Sequence, residues 1–214
     1  MQYNTHMTLK FRKCLEIGCH YRNTIMSYPE CDQAQILMVD PIQEWLDRVP
    51  DSDRVIKRRA AITARGGGER DFWYIDEATR LRLGLPDWAT TMGSLGPDHE
   101  TVRHFQWLEH QRRVRVPVVA LADLIDQHDW WDMDYLQVDT EGWDHEILMA
   151  LLETPCRPTV IRFESKLLGP GEMLTLIPRF RAEGYQVAQG RERDFRGVNY
   201  NTILHKGPVP DGIL

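Results

Sequence analysis

The stretch Asp134–Leu151, DYLQVDTEGWDHEILMAL, decides how the chain is read. Leu136 to Val138 reads as a strand entering a core, yet it runs into Asp139, Glu141, Asp144 and Glu146. Burying charge is costly. These carboxylates therefore either sit at a solvated strand end and helix start or line a site. The helix dipole by itself favours acids in a first turn, and Asp144 and Glu146 are read that way. Asp139, at the strand end, is read as a site residue. Glu141 either touches substrate or orients the turn.

Working outward, WDHEILMALLE places Ile147, Leu148, Leu151 and Leu152 on one helical face. KCLEIG (Lys13–Gly18), AQILMVDP (Ala34–Pro41) and PTVIRFE (Pro158–Glu164) are near-continuous apolar runs of the kind buried on both sides in a parallel sheet. Pro41 suits the first turn of a helix carrying Ile42, Trp45, Leu46 and Val49 at helical spacing. RVIKRRAAIT reads as a third strand, and GGGERDFWYID as the turn and second arm of a hairpin. No GKS or GKT follows those glycines, so a phosphate loop is set aside.

Asp98 can cap a helix running through Val102, Phe105 and Leu108. VRVPVVAL is another strand, and Asp123 opens a short helix. Pro178, inside MLTLIPRFRAEG, is expected to kink or split that helix. YQVAQG and VNYNTILHK are too closely connected to be anything but antiparallel. The sum is one domain over residues 1–214: an α/β, mostly parallel sheet with an antiparallel C-terminal strand. Residues 77–113, holding Trp88, His99, His104, Trp107 and His110, look like a substrate-side insertion or a helical hairpin that only packs.

The 214 residues carry a net charge of −6. That argues against nucleic acid as the main partner, despite short basic runs at Lys57–Arg59 and His110–Arg115. Cys14, Cys19, Cys31 and Cys156 form no CxxC pair and match no zinc spacing, which fits free thiols in a reducing compartment. There is no apolar run of signal-peptide or membrane-span length, so a soluble, cytoplasmic protein without a membrane span is expected.

Ligands of open α/β sheets lie beyond the carboxyl ends of the strands, here Gly18, Asp40, Asp139 and Glu164. Gly18 would let the backbone turn closely past a ligand. Asp40 stands 22 residues beyond Gly18, where a carboxylate can accept from both hydroxyls of a ribose. Cys19, His20 and Tyr21 supply bulk where a dinucleotide's pyrophosphate needs glycines and room. A cofactor without phosphate, such as S-adenosylmethionine, is less disfavoured, and Glu16 is placed to attract its cationic end.

YLQVDTEGWDHEIL resembles the signature of the FkbM family of S-adenosylmethionine-dependent methyltransferases, with Asp139, Glu141 and Gly142 matching its Asp-x-Glu-Gly turn. LEIG, MVDP, AAITARGG, Gly93-Ser94-Leu95, VVALADLI, VIRFES and GYQV fall in a similar order, so the likeness covers about Cys14 to Leu204. It implies a Rossmann-like class I methyltransferase fold and O-methylation of a hydroxyl on a small molecule or glycan. Cofactor contacts are then expected from Glu16, Gly18, Cys19, His20, Asp40, Pro41 and Asp139.

Two departures stand out. Cys19-His20-Tyr21-Arg22 replaces the family's second small residue, and too few residues separate the first two strands for a full helix and its loops. The start of the chain so close to the first strand also predicts no N-terminal lid.

Positioning supplies much of the rate of methyl transfer, and a hydroxyl acceptor also needs a base. Asp139 and Glu141 are the catalytic candidates. Two apart in an extended strand end, they would face one way, and repulsion would raise one pKa. His145, one turn along, is a third base candidate. Asp139, Glu141 and Glu164 could instead offer oxygens to Mg²⁺. Trp143, Trp130 and Trp131 are aromatic wall or packing residues. The rivals are a nicotinamide-dependent oxidoreductase, disfavoured by the single glycine, and a non-catalytic ligand- or partner-binding member of the same fold.

Overall fold

The computed structural model describes residues 9–22, 24–98, 100–191, 200–209 and 213–214. Strand β1 (Lys13–Ile17) leads through two one-turn 3₁₀ helices, Thr24–Ser27 and Pro29–Cys31, to β2 (Gln35–Asp40). Helix α1 (Gln43–Arg48) then buries Trp45 and Leu46. Next come β3 (Val55–Arg59), β4 (Ala61–Thr63) and β5 (Glu69–Tyr74). Helix α2 (Glu77–Leu83) is capped by the Asp76 side chain, which accepts from Thr79 N–H, and ends on Gly84 in the left-handed conformation.

After the short α3 (Glu100–His104) come β6 (Arg112–Ala120), α4 (Leu121–His128) and β7 (Tyr135–Val138). The chain closes with α5 (Asp144–Leu152), β8 (Val160–Glu164), α6 (Pro170–Ala182), β9 (Gln186–Gln189) and β10 (Asn201–His205). No helix among the described residues is long and apolar enough to cross a membrane.

Among the described residues seven strands form one sheet in the order β3-β2-β1-β7-β8-β10-β9. The strands β3, β2, β1, β7 and β8 are parallel neighbours, and β10 lies antiparallel to both β8 and β9. This is the class I methyltransferase arrangement, with the antiparallel strand slotted inside the sheet rather than at its edge.

The two faces of the sheet are covered differently. Leu15, Ile17, Leu37, Val39, Leu136, Val138, Ile161 and Phe163 pack against residues of α4, α5 and α6, including Leu124, Leu148 and Phe180. The opposite face, with Cys14, Ile36, Met38, Tyr135 and Val160, is covered by Phe11, Ile25, Tyr28 and Cys31, with Leu46 of the short α1 and Val49 after it. The expected shortage of chain between β1 and β2 is therefore met by two single turns.

Four local readings change. RVIKRRAAIT is two strands: β3 stays in the large sheet, the chain breaks at Ala60, and β4 pairs in parallel with β6 in a second, three-stranded sheet β4-β6-β5. The expected hairpin is absent, because β5 pairs antiparallel with β6 across Glu69↔Pro117 to Tyr74↔Arg112. A strand more than 35 residues away outcompetes the local partner, since β6 is long enough to serve both neighbours. The helix expected after Asp98 stops at His104, and Gln106 has φ +60°. Helix α6, by contrast, runs unbroken past Pro178. The residue is exposed, so water can satisfy the carbonyl that its ring deprives of a donor.

Gly18 has a steric cause that the sequence does not show. Its φ is +81°, and a Cβ there would lie 1.8 Å from the Asp139 carbonyl oxygen. The glycine is required by the neighbouring strand rather than by a ligand. Gly18→Ala is expected to cost at least about 2 kcal/mol through clash and left-handed strain, read as a lowered urea midpoint. An unchanged midpoint would mean that β1 and β7 are not held this closely.

Candidate active site

Because β2, β1, β7 and β8 are parallel neighbours, their carboxyl ends share one edge of the sheet. Asp40, Glu16, Gly18, Asp139 and Glu164 there line a single cavity of about 430 Å³. That size is within the roughly 300–1,000 Å³ usual for ligand sites. Cys19, His20, Pro41 and Glu141 line it too. The expected cofactor contacts and the two carboxylate candidates for catalysis, Asp139 and Glu141, thus come to one place.

The acidic end is built by a turn, not by strand alternation. Glu141 has φ +52° and Gly142 φ +103°, so the chain is no longer extended after Val138. This left-handed step brings carboxylate oxygens of Asp139, Glu141 and Glu164 within 4.8 Å of one another. Asp139 is exposed, while Glu141 and Glu164 are buried. Burial pushes the Glu141 and Glu164 carboxyls well above their ordinary range, and the charge of Asp139 adds to both shifts. Lys166 Nζ stands 3.0 Å from Glu164 Oε1. The oxygens expected to suit Mg²⁺ therefore already have an ammonium among them.

Asp144 is not a solvated helix-start charge. It is 1% exposed. Its Oδ2 accepts from Thr140 N–H (3.1 Å) and Thr140 Oγ1 (2.7 Å), and its Oδ1 accepts from Glu164 N–H (3.1 Å). One side chain thereby ties the turn after β7 to the end of β8. Glu146 is also structural: it accepts from Ala64 N–H at 3.0 Å and joins α5 to the chain leaving β4.

On the other sheet face, Gln137 Nε2 donates to Glu16 Oε1 at 3.1 Å, while Glu16 Oε2 makes no hydrogen bond of ordinary geometry. Burial raises the Glu16 carboxyl to about 8, with Asp139 adding to the effect. Asp40 receives backbone N–H groups at both oxygens, His20 at Oδ2 and Ile42 at Oδ1, each at 2.8 Å. Burial still lifts it to about 7. Beyond Asp40 the wall turns apolar, with Ile42, Trp45, Ala61, Phe72, Tyr74 and Leu95 in one packed cluster. The His20 ring lies 4.6 Å from Trp45 and 4.1 Å from Tyr21, and the Arg48 guanidinium sits 3.4 Å from the centre of the Tyr21 ring.

Other expectations fall outside the cavity. His145 turns to α6, with Nε2 3.1 Å from Thr175 Oγ1, and is no base for this site. Trp130 is core, and Trp131 Nε1 donates to Asp126; Trp143 does line the cavity. Of the five aromatic and histidine residues singled out between 88 and 110, Trp88 lines it. Trp107 stacks on Phe105 and His104 meets that ring edge-on instead, and His110 lies 3.8 Å from Glu109. His99 lies outside the described residues.

Arg22, Gln137 and Lys166 line the cavity without having been singled out. Gln137 had a signal, a polar residue inside an apolar strand. Arg22 and Lys166 had none, since loop residues acquire neighbours only through the fold.

The sheet order and the cavity at its carboxyl edge define a class I, Rossmann-like methyltransferase fold. A family model described as "Methyltransferase FkbM domain" matches residues 28–187, and the chain belongs to that family. No curated protein matches.

Among solved structures, the precorrin-6y C5,15-methyltransferase of Geobacter metallireducens GS-15 is 11% identical with a TM-score of 0.42, covering 94% of this chain and 83% of that one. The methyltransferase domain of bacterial CtHen1 is 14% identical with a TM-score of 0.38, covering 91% and 89%. The N-terminal domain of human METTL16, in complex with SAH, is 11% identical with a TM-score of 0.40, covering 93% and 63%. Likeness at this level is too loose to transfer a substrate or a residue role.

The raised carboxyls make a pH prediction. Between their unfolded values and about 7–8, the folded state holds protons on Glu16, Asp40 and Asp144 that the unfolded chain has lost. Stability therefore falls as pH rises through that window. His20, lowered to about 3, acts in the opposite sense only below its ordinary value. From pH 6.5 to 8 the ligand-free protein is expected to lose on the order of 3 kcal/mol, measured by urea melts. A rise in stability would contradict the burial of these groups.

Proposed function

We propose that this cavity binds S-adenosylmethionine and that the protein O-methylates a hydroxyl of a small molecule or glycan. One observation carries the reading: adjacent parallel strands deliver Glu16, Asp40, Asp139 and Glu164 to one 430 Å³ cavity, in which Glu16 Oε2 and Glu164 Oε2 are buried and make no hydrogen bond of ordinary geometry. The donor set fits the cofactor. Buried oxygens suit its cationic end, the Asp40 carboxylate a ribose, and the apolar wall of Pro41, Ile42, Ala61 and Leu95 a purine. Gly18 and Cys19 complete the floor beside Glu16.

When bound, the cofactor supplies an activated methyl group on a sulfonium. The chain supplies place and proton handling. Asp139 is the exposed member of the carboxylate trio, so it is the one that can reach an acceptor hydroxyl from the open side and take its proton. Glu141 and Glu164, raised by burial, keep their protons more readily than an ordinary carboxyl and so limit the charge on the trio. Trp143 and Trp88, both at the cavity wall, exclude water from the acceptor side. The rest of 77–113 frames that side as a substrate insertion within one methyltransferase domain.

Calorimetry with S-adenosylhomocysteine and with NADH tests the assignment. Micromolar binding of the first supports it. Binding of NADH instead would make the protein an oxidoreductase, and binding of neither would point to a non-catalytic member of the fold. Asp40→Asn is expected to weaken S-adenosylhomocysteine by about 1–3 kcal/mol, because one charged acceptor is lost; equal affinity would remove Asp40 as the ribose partner. Once an acceptor is in hand, Asp139→Asn is expected to lower kcat by about 10²-fold or more at nearly constant cofactor affinity. Full activity in that variant would strike Asp139 from the mechanism.

A further inference from the structure

The connection between β1 and β2 contains no α-helix among the described residues, only the 3₁₀ turns Thr24–Ser27 and Pro29–Cys31. A helix beginning there would present free backbone N–H groups to an anion. A zwitterionic ligand with a carboxylate must find its cationic partner elsewhere, in a cavity walled by Glu16, Asp40, Asp139, Glu141 and Glu164. The lysine and arginine side chains at the wall are Lys166 and Arg22. Lys166 is engaged by Glu164 at 3.0 Å and by the Tyr200 ring at 4.7 Å. Arg22 is exposed, and among the described residues no ion pair or hydrogen bond engages its side chain.

His20 is the second observation. It is 7% exposed, lines the cavity, and has no hydrogen-bond partner at either ring nitrogen. Its φ of +47° lies in the left-handed region, where histidine is among the better-tolerated residues other than glycine. Burial, with Arg22 and Arg48 adding, lowers its pKa to about 3. The imidazole is therefore neutral and offers one donor and one acceptor. Two buried, unanswered polar atoms at a cavity wall mark a group held ready for a ligand.

We infer that the loop after β1 is a side-chain clamp for the cofactor: Arg22 takes the carboxylate of its amino acid half, and His20 bonds the ribose of its nucleoside half beside Asp40. The placement of His20 follows from its own backbone N–H, which donates to Asp40 Oδ2 at 2.8 Å. The clamp rests on the cofactor reading above and gives residue-level content to the replacement of a small-residue turn by Cys19-His20-Tyr21-Arg22.

The test is calorimetry on wild type, Arg22→Gln and His20→Asn. The two probes are S-adenosylhomocysteine and S-adenosyl-3-thiopropylamine, the same molecule without its carboxylate. Asparagine tolerates a positive φ, so the His20 variant keeps the loop, and ligand-free thermal midpoints near wild type confirm that both variants fold. Arg22→Gln is expected to weaken S-adenosylhomocysteine about tenfold and to leave the descarboxy probe unchanged, as befits a lost charge-assisted bond. His20→Asn is expected to weaken both probes about five- to tenfold.

Unchanged affinity in either variant, or equal loss of both probes in Arg22→Gln, overturns the clamp while leaving the cofactor reading intact. Failure of wild type to bind S-adenosylhomocysteine overturns both.

Discussion

The close approach of two strand ends organises this protein. Gly18 presses its Cα face on the Asp139 carbonyl, with Asp139 N–H donating to Ile17 O and Gly18 N–H donating to Val39 O, each at 2.9 Å. Those contacts bring the ends of β2, β1 and β7 to one level. Glu16, Asp40 and Asp139 then have no choice but to share a crevice, and the space above them is the cavity. A side chain at position 18 would separate β1 from β7 at the point where the acids gather.

Collecting carboxylates in one place creates repulsion, and the molecule answers it in three ways. Asp144 and Asp40 are spent on backbone N–H groups, which satisfies buried oxygens that would otherwise be costly. Lys166 contributes a positive charge beside Glu164. The remaining buried acids, Glu16, Glu141 and Glu164, rise in pKa and keep their protons more readily. The cavity is thus richer in carboxyl groups than in negative charge. That condition favours a cationic ligand without forbidding the site in its absence.

The lopsided sandwich follows from the short β1–β2 connection. Helices α4, α5 and α6 cover one face of the sheet, and two 3₁₀ turns together with the short α1 cover the other. Beneath those turns runs a row of polar side chains across neighbouring strands, Glu16, Gln137 and Arg162, in direct register. Tyr135 Oη donates to Gln137 Oε1 at 2.9 Å, and Arg162 donates to the Tyr28 hydroxyl. The thin cover leaves the loop after β1 free to turn His20 and Arg22 to the cavity, where a helix would have fixed the backbone differently.

Periodicity and turn chemistry alone determined much: the buried parallel strands, the helices after Asp40 and Trp143, the antiparallel last strand, and the residue types at the strand tips. These are properties of local patterns, and a continuous apolar run or a strand-end carboxylate keeps its meaning wherever it is placed. What the chain could not reveal by itself depends on which distant segments meet. The split at Ala60 and the pairing of β5 with β6 required competition between partners far apart in sequence. The buried clamp of Asp144 looked like an ordinary helix-start acid until β8 arrived beside it. Convergence of Asp139 and Glu141 came from a left-handed turn rather than strand alternation, and Arg22 became a cavity residue only through the path of the loop after β1. Local sequence sets what each segment can be, whereas burial, charge and access are set by neighbours that only the folded chain supplies.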